Sequence, residues 1–268
     1  MTQTTDDATG TDPDRHDPDL DREGPDLDRD TPQYHGARAA LYGALAAPFV
    51  HPGEGAIDDL AHDDAIEGIL TAADRVGVES ETETFVGALE TTDAETAART
   101  YDRLFGVPDG EGTYPVVPYE AQYTVDGAID REQRRIAAVI GVMEAAGFER
   151  GETFAERQDH VAAELELAQV LAVQRAVALH SGERAEADRI ADLEATFLAE
   201  HLADFVPAFA RDLRDATDVA LYETAADLAR SLVELDHERH PDAMEVPTTA
   251  DHTGEPPSND GRQGGDPR

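Results

Sequence analysis

ERQDHVAAELELAQVLAVQRAVALH, residues 156–180, reads as a helix with almost no polar side. Val161, Leu165, Ala168, Ala172, Ala176 and Leu179 recur at helical spacing and share one face. Leu167, Leu171 and Val177 add apolar positions elsewhere around the wheel. A helix that is apolar nearly all round belongs in the middle of a helical core, because no face of it gains by meeting water. His160 and Glu164, four residues apart, share a face at its start.

The same periodicity extends on both sides of this stretch. Tyr34, Ala37, Leu41, Leu45 and Phe49 form a helical stripe. Thr92 with Glu95 resembles a capping box, opening a helix that carries Tyr101, Leu104 and Phe105. A Gly/Pro-rich stretch over 106–127 interrupts the pattern, which resumes over 131–148. Beyond the central helix, residues 183–215 continue as helix, bent or broken at Pro207, which has no N–H to donate. Residues 217–238 close the set. Alternating apolar and polar runs of strand type are absent, so the sequence predicts an all-α, multi-helix single domain over 34–240.

The two ends differ from this middle. Residues 1–33 hold 11 acids and three arginines with almost nothing apolar, and Asp17–Glu23 is nearly repeated by Gly24–Asp30. Residues 241–268 are rich in Pro, Gly, Asp and Thr. Neither composition buries enough apolar surface to offset ordering entropy, so both are expected to be disordered acidic termini.

Charge excludes several functions. All 21 basic residues are arginine, and 59 acids bring the chain to -38, of which -26 sits on residues 34–240. Nucleic-acid binders carry basic stripes that neutralise phosphates, and none exists here. An anionic membrane surface would repel such a chain. No run approaches the length of a membrane span, and the N-terminus lacks the features of a secretory signal, which predicts a cytoplasmic protein. Charge this far from zero suits a salt-rich cytoplasm, where self-repulsion is screened within about 3 Å at molar salt.

Catalytic constellations are equally scarce. A phosphate-binding Walker loop needs a lysine, and the chain has none. With no cysteine there is no disulfide, thiolate metal site or cysteine nucleophile. None of the four serines has an evident His partner. One Glu-x-x-His pair, Glu234 with His237 and then His240, falls short of the ligand count of a di-iron bundle and reads as a solvated helix end. No cofactor and no metal are expected.

Three local patterns together resemble the TorD/DmsD/NarJ family of molybdoenzyme maturation chaperones. Tyr101, Leu104 and Phe105, followed by Pro118, Tyr119, Glu120 and Tyr123, resemble the family's Tyr-x-x-Leu-Phe and Pro-Tyr-Glu-Ser-x-Tyr stretch. Residues 156–165, with Glu156, Asp159, His160, Glu164 and Leu165, are similar to its Glu-Pro-x-Asp-His-x-x-x-Glu-Leu signature. His201, Leu202, Phe205, Pro207 and Phe209 resemble His-Leu-x-x-Trp-x-Pro-x-Phe. Arg157, Ala121 and Phe205 depart from the pattern, standing where the family has proline, serine and tryptophan.

The resemblance implies a TorD-like helical fold without catalysis of its own, acting as monomer or homodimer. It implies binding of the twin-arginine signal peptide of a molybdopterin-dependent reductase catalytic subunit, of the dimethyl sulfoxide, trimethylamine oxide or nitrate class, and help with cofactor insertion. On this reading the client peptide meets Asp159, His160, Glu164, Pro118, Tyr119, Glu120, Tyr123, Leu104 and Phe105. The residues themselves leave other roles open. Asp159 and His160 equally suit a helix N-terminus, with His160 paired to Glu164. Pro118–Glu120 suit a packed loop, and Tyr101, Leu104, Phe105, His201, Phe205 and Phe209 suit core packing. A helical adaptor without selectivity for signal peptides is the alternative function.

Overall fold

The computed structural model describes residues 29–51, 56–106, 114–148 and 156–239. These residues are 82% helical with no strand, as the periodicity predicts. The acidic ends lie outside them, except for residues 29–33, as do His240 and part of the Gly/Pro-rich loop. No helix among the described residues is long and apolar enough to cross a membrane.

Helix α1 (Pro32–Ala46) opens with Pro at its first position and with Thr31 as cap, whose Oγ1 accepts from the Tyr34 N–H at 3.2 Å. Its stripe, Tyr34, Ala37, Leu41, Leu45 and, in the following 3-10 turn, Phe49, is buried throughout. A short helix α2 (Ala56–Leu60) precedes α3 (Asp63–Val76) and α4 (Glu79–Thr91). Then come α5 (Ala94–Tyr101), α6 (Ala121–Thr124), α7 (Ile129–Ala146) and α8 (Val161–Ser181). The chain ends with α9 (Arg184–Phe197), α10 (Ala203–Ala216) and α11 (Ala220–Arg239). Helix α1 packs on α8 and α3, α11 packs on α10 and α4, and α9 packs on α8.

Where α1 meets α8, Gly43 faces the end of the Gln169 side chain. A Cβ there would lie 2.6 Å from Nε2 of Gln169, so a larger residue would require the Gln169 side chain to move aside. Helix α8 is buried along its first three turns, whereas Val173 and Val177 near its end are exposed. It stops at Gly182, whose left-handed φ of 75° returns the chain toward α9.

Local details differ from the sequence reading in three places. The capping residue of α5 is Asp93, not Thr92: Asp93 accepts from the Thr96 N–H at 2.8 Å, while the Thr92 hydroxyl donates to the Ala88 carbonyl at the end of α4. A carboxylate one residue nearer the helix wins the cap, and Glu95 instead pairs with Arg99 one turn on. The interruption expected at Pro207 lies upstream, in a π turn over Leu198–Leu202, and Pro207 itself sits inside α10. The proline ring crowds the preceding turn, and the wider turn before it absorbs the misfit. The central helix starts at Val161, with His160 as its cap, rather than near Glu156.

Surface arginines are used in short-range pairs such as Arg134–Asp130 and Arg230–Glu234, yet acids outnumber arginines almost three to one. Raising KCl from about 0.1 M to about 3 M should therefore raise the melting midpoint by screening self-repulsion. A midpoint that stays level or falls in a thermal melt would refute the adaptation to high salt.

Candidate functional site

The two family-like motifs around Pro118–Tyr123 and Asp159–Glu164 meet in space. Tyr119 and His160 form an isolated antiparallel bridge. The Glu120 N–H donates to the Asp159 carbonyl at 2.9 Å, and the Val161 N–H donates to the Pro118 carbonyl at 2.8 Å. The segment entering α6 is thus laid across the first turn of α8. Val116 N–H reaches back to the Leu104 carbonyl, fastening the same segment to the π turn (Asp102–Gly106) that follows α5.

The Asp159 carboxylate is engaged by Arg157 and by the start of α6: it accepts a fork from the guanidinium, at 2.9 and 2.6 Å, and the Ala121 N–H at 3.2 Å. Arg157, the residue standing where the family has proline, also lies 4.5 Å over the Tyr119 ring. The Tyr119 hydroxyl donates to Glu156 at 2.6 Å, and burial together with that bond raises its pKa above the ordinary value. His160 caps α8 by accepting the Ala162 N–H on Nδ1 at 3.1 Å. Burial alone pushes its pKa down to about 3, so the ring stays neutral across the physiological range.

Glu164 does not pair with His160. Its carboxylate is fully buried and neither oxygen accepts a hydrogen bond. Burial, then the neighbouring Glu120 and Asp159, raise its pKa well above the usual carboxylate range, against the opposing pull of Arg135. Glu120, also fully covered, meets Arg135 Nη2 at 2.7 Å and His201 Nδ1 at 3.1 and 3.2 Å. Arg135 in addition approaches Asp204 at 3.1 Å and donates to the Glu200 carbonyl.

His201, read from the sequence as packing, does lie against Phe197, yet its ring also faces the Glu120 carboxylate from the π turn before α10. Pro118 is buried, Tyr119 is half-buried, and Tyr123 is half-buried against Phe205 and Phe209. Leu104 is fully buried, and Phe105 packs in the aromatic core on Tyr101, Phe209 and Tyr222.

Of the nine residues expected to meet a client, the structure gathers Pro118, Tyr119, Glu120, Asp159, His160 and Glu164 into one cluster. It adds three that the sequence did not single out for this place: Arg135, Arg157 and His201. His201 carried a signal, since a histidine among Phe197, Leu198, Leu202 and Phe205 occupies a core position of its helix. Arg135 carried none, because α7 presents several arginines and only the tertiary fold selects one.

Arg135 reaches the surface, where it lines a shallow depression with Val125, Arg131, Arg134 and Ala138. A separate cleft of about 330 Å³ lies between α10 and α11, lined by Arg211, Arg214, Asp227 and Arg230 among others, and none of the cluster's residues lines it. Near the end of α11, Glu234 pairs with Arg230, and the described residues place no metal-ligating group around Glu234 and His237.

No curated protein matches the chain. The profile of a protein family described as nitrate reductase delta subunit matches residues 71–211, just over half of the 268-residue chain. That span contains every member of the buried cluster. This family consists of chaperones of molybdoenzyme maturation rather than catalysts. The delta-subunit match, the helical fold and the joined motifs agree, and the chain belongs to the nitrate reductase delta subunit family of redox-enzyme maturation chaperones.

Proposed function

We propose that this protein acts in the cytoplasm on the catalytic subunit of a molybdopterin-dependent reductase, binding its twin-arginine signal peptide and assisting cofactor insertion. The observation that carries the reading is a seat for a guanidinium group made by Asp159 and Tyr119. Arg157 fills that seat from within, forking onto the carboxylate and lying over the ring. A planar guanidinium matches a carboxylate in two prongs and stacks on an aromatic face, which an ammonium does not reproduce. The Arg157 side chain is 36% exposed and can swing into water, yielding the seat to an arginine of the client. The family description supports a client of the nitrate reductase class, with the dimethyl sulfoxide and trimethylamine oxide reductases as the other candidates.

Calorimetric titration at high KCl tests this. A peptide with paired arginines and a following apolar segment should bind, and its alanine and lysine versions should bind more weakly. Asp159→Asn should cost on the order of 1.5 to 3 kcal/mol, roughly ten- to a hundredfold in affinity. Arg157→Gln removes the internal competitor and should tighten binding. Affinity unchanged in both variants refutes the seat.

One observation favours the alternative of a helical adaptor: Glu120 and Asp159 are fully covered and hold the loop to α8. On that reading Asp159→Asn lowers the melting point, and arginine and alanine peptides bind alike.

A further inference from the structure

Three fully buried carboxylates, Glu120, Asp159 and Glu164, stand beside two guanidinium groups, Arg135 and Arg157. The fork from Arg157 matches Asp159, and Arg135 is shared between Glu120 and the exposed Asp204. Glu164 is left over. Both its oxygens lack a hydrogen bond, although it is 0% exposed. A buried carboxylate in that position is costly unless something neutralises it.

The arrangement around Glu164 suits a cation. A donor atom from each of Glu120, Glu164 and His201 lies within 4.8 Å of the other two. The three side chains come from three directions: the segment entering α6, the first turn of α8, and the π turn between α9 and α10. Donors around a four-coordinate zinc ion with bonds of 2.0–2.2 Å are separated by about 3.3 Å. His201 Nδ1 and Glu120 Oε2 already stand 3.2 Å apart, so closing the set asks mainly that Glu164 move inward.

We propose that Glu120, Glu164 and His201 form a binding site for a divalent cation of the zinc class, with a water molecule in the fourth position. One imidazole and two carboxylates are the donor set that zinc accepts in sites with an open position, and the absence of cysteine disfavours softer ions. A neutral His201 with two carboxylates cancels the ion's charge. Arg135, 2.7 Å from Oε1 of Glu120, holds that carboxylate in place, and Oε2, 3.2 Å from His201 Nδ1, is the oxygen left to meet the ion. The ion would tie the Pro118–Tyr123 segment to α8 and to the start of α10, fixing the wall on which the client reading rests, although the site itself is independent of that reading.

The test uses the full chain, stripped with EDTA and held in high KCl with excess Mg²⁺ to suppress weak binding by surface acids. Zinc titrated by calorimetry should bind with one equivalent, and the melting midpoint should rise on loading. Glu164→Gln keeps the shape of the side chain, so it should fold and melt no lower than the stripped wild type. It should bind zinc at least a hundredfold more weakly and lose the zinc-dependent rise in melting point. His201→Gln should do the same. Substitution with Co²⁺ should give the visible absorption of a four-coordinate ion in the wild type and not in Glu164→Gln. Absence of a saturable equivalent, or equal zinc affinity in wild type and Glu164→Gln, overturns the proposal and leaves a proton as what neutralises Glu164.

Discussion

Arg38→Met should destabilise the protein by about 3 to 5 kcal/mol, the usual cost of removing one partner from a buried ion pair. Arg38 is fully buried in α1, with Nε and Nη2 at 2.8 and 2.7 Å from Oδ2 of Asp236 and Nη1 at 2.8 Å from Glu194. Burial works against its charge, but Asp236 and Glu194 hold its pKa well above the ordinary value. After the substitution Glu194 would lose one contact and keep Arg175 at 3.2 Å, whereas Asp236 would lose both prongs of the guanidinium and keep the Tyr42 hydroxyl at 2.8 Å. Most of the loss should therefore trace to Asp236, and adding Asp236→Asn to Arg38→Met should restore a large part of it. High KCl should not rescue the single variant, because salt screens exposed charges and leaves buried ones unscreened. Denaturant unfolding of the four proteins in the cycle measures this, with the melting midpoint of Arg38→Met lower by roughly 10 °C. A loss below about 1 kcal/mol would show that the network adds little beyond its packing.

The second large effect depends on pH. Burial holds His160 neutral down to about pH 3, whereas an unfolded chain protonates its histidines near 6.5. Below about pH 6.5 the unfolded state therefore takes up a proton that the folded state refuses, and stability falls as pH falls. The contribution is complete above the unfolded pKa and is lost through the window from about 6.5 to about 3. The slope is about 1.4 kcal/mol per pH unit, or on the order of 4 to 5 kcal/mol across the window.

Glu164 works in the opposite sense in the metal-free protein. Its raised pKa contributes stability that is present below its unfolded value and lost as pH rises through the folded one. His160→Asn separates the two effects. Asparagine keeps an acceptor for the Ala162 N–H at the cap and does not titrate. Unfolding measured between pH 7 and pH 5, in about half-unit steps, should be flatter for His160→Asn than for wild type by about 1 kcal/mol per pH unit on average, approaching the full slope at the acid end. Equal slopes would mean that His160 protonates in the folded state.

The helices were legible because apolar spacing is a local property. Tyr34, Ala37, Leu41, Leu45 and Phe49 had to share a face whatever they packed against, and the same holds for Val161, Leu165 and Ala168. The charged core residues carried a weaker signal of the same kind. Arg38 lies four residues after Tyr34 and three before Leu41, and Asp236 follows Leu232 and Val233, so each stands on an apolar stripe. Spacing could mark them as buried, but it could not pair Arg38 with a residue 198 positions away.

The site was legible through its motifs rather than its contacts. Resemblance singled out Glu120, Asp159 and Glu164. That Arg157 would close on Asp159, that Arg135 would cross to Glu120, and that a π turn would aim His201 at the same carboxylate are tertiary facts. The cap at Asp93 was missed for a smaller reason, since Thr92 and Asp93 are both good caps and the geometry of the preceding helix end chose between them.

Recognition of a reductase through its paired arginines is tested by capturing the full chain from its own cells in high KCl and identifying what accompanies it. The captured partner should be the catalytic subunit of a molybdopterin-dependent reductase with its leader still attached, and it should be lost when both leader arginines are changed to lysine. Capture of no reductase subunit, or equal capture with and without the arginines, would contradict it.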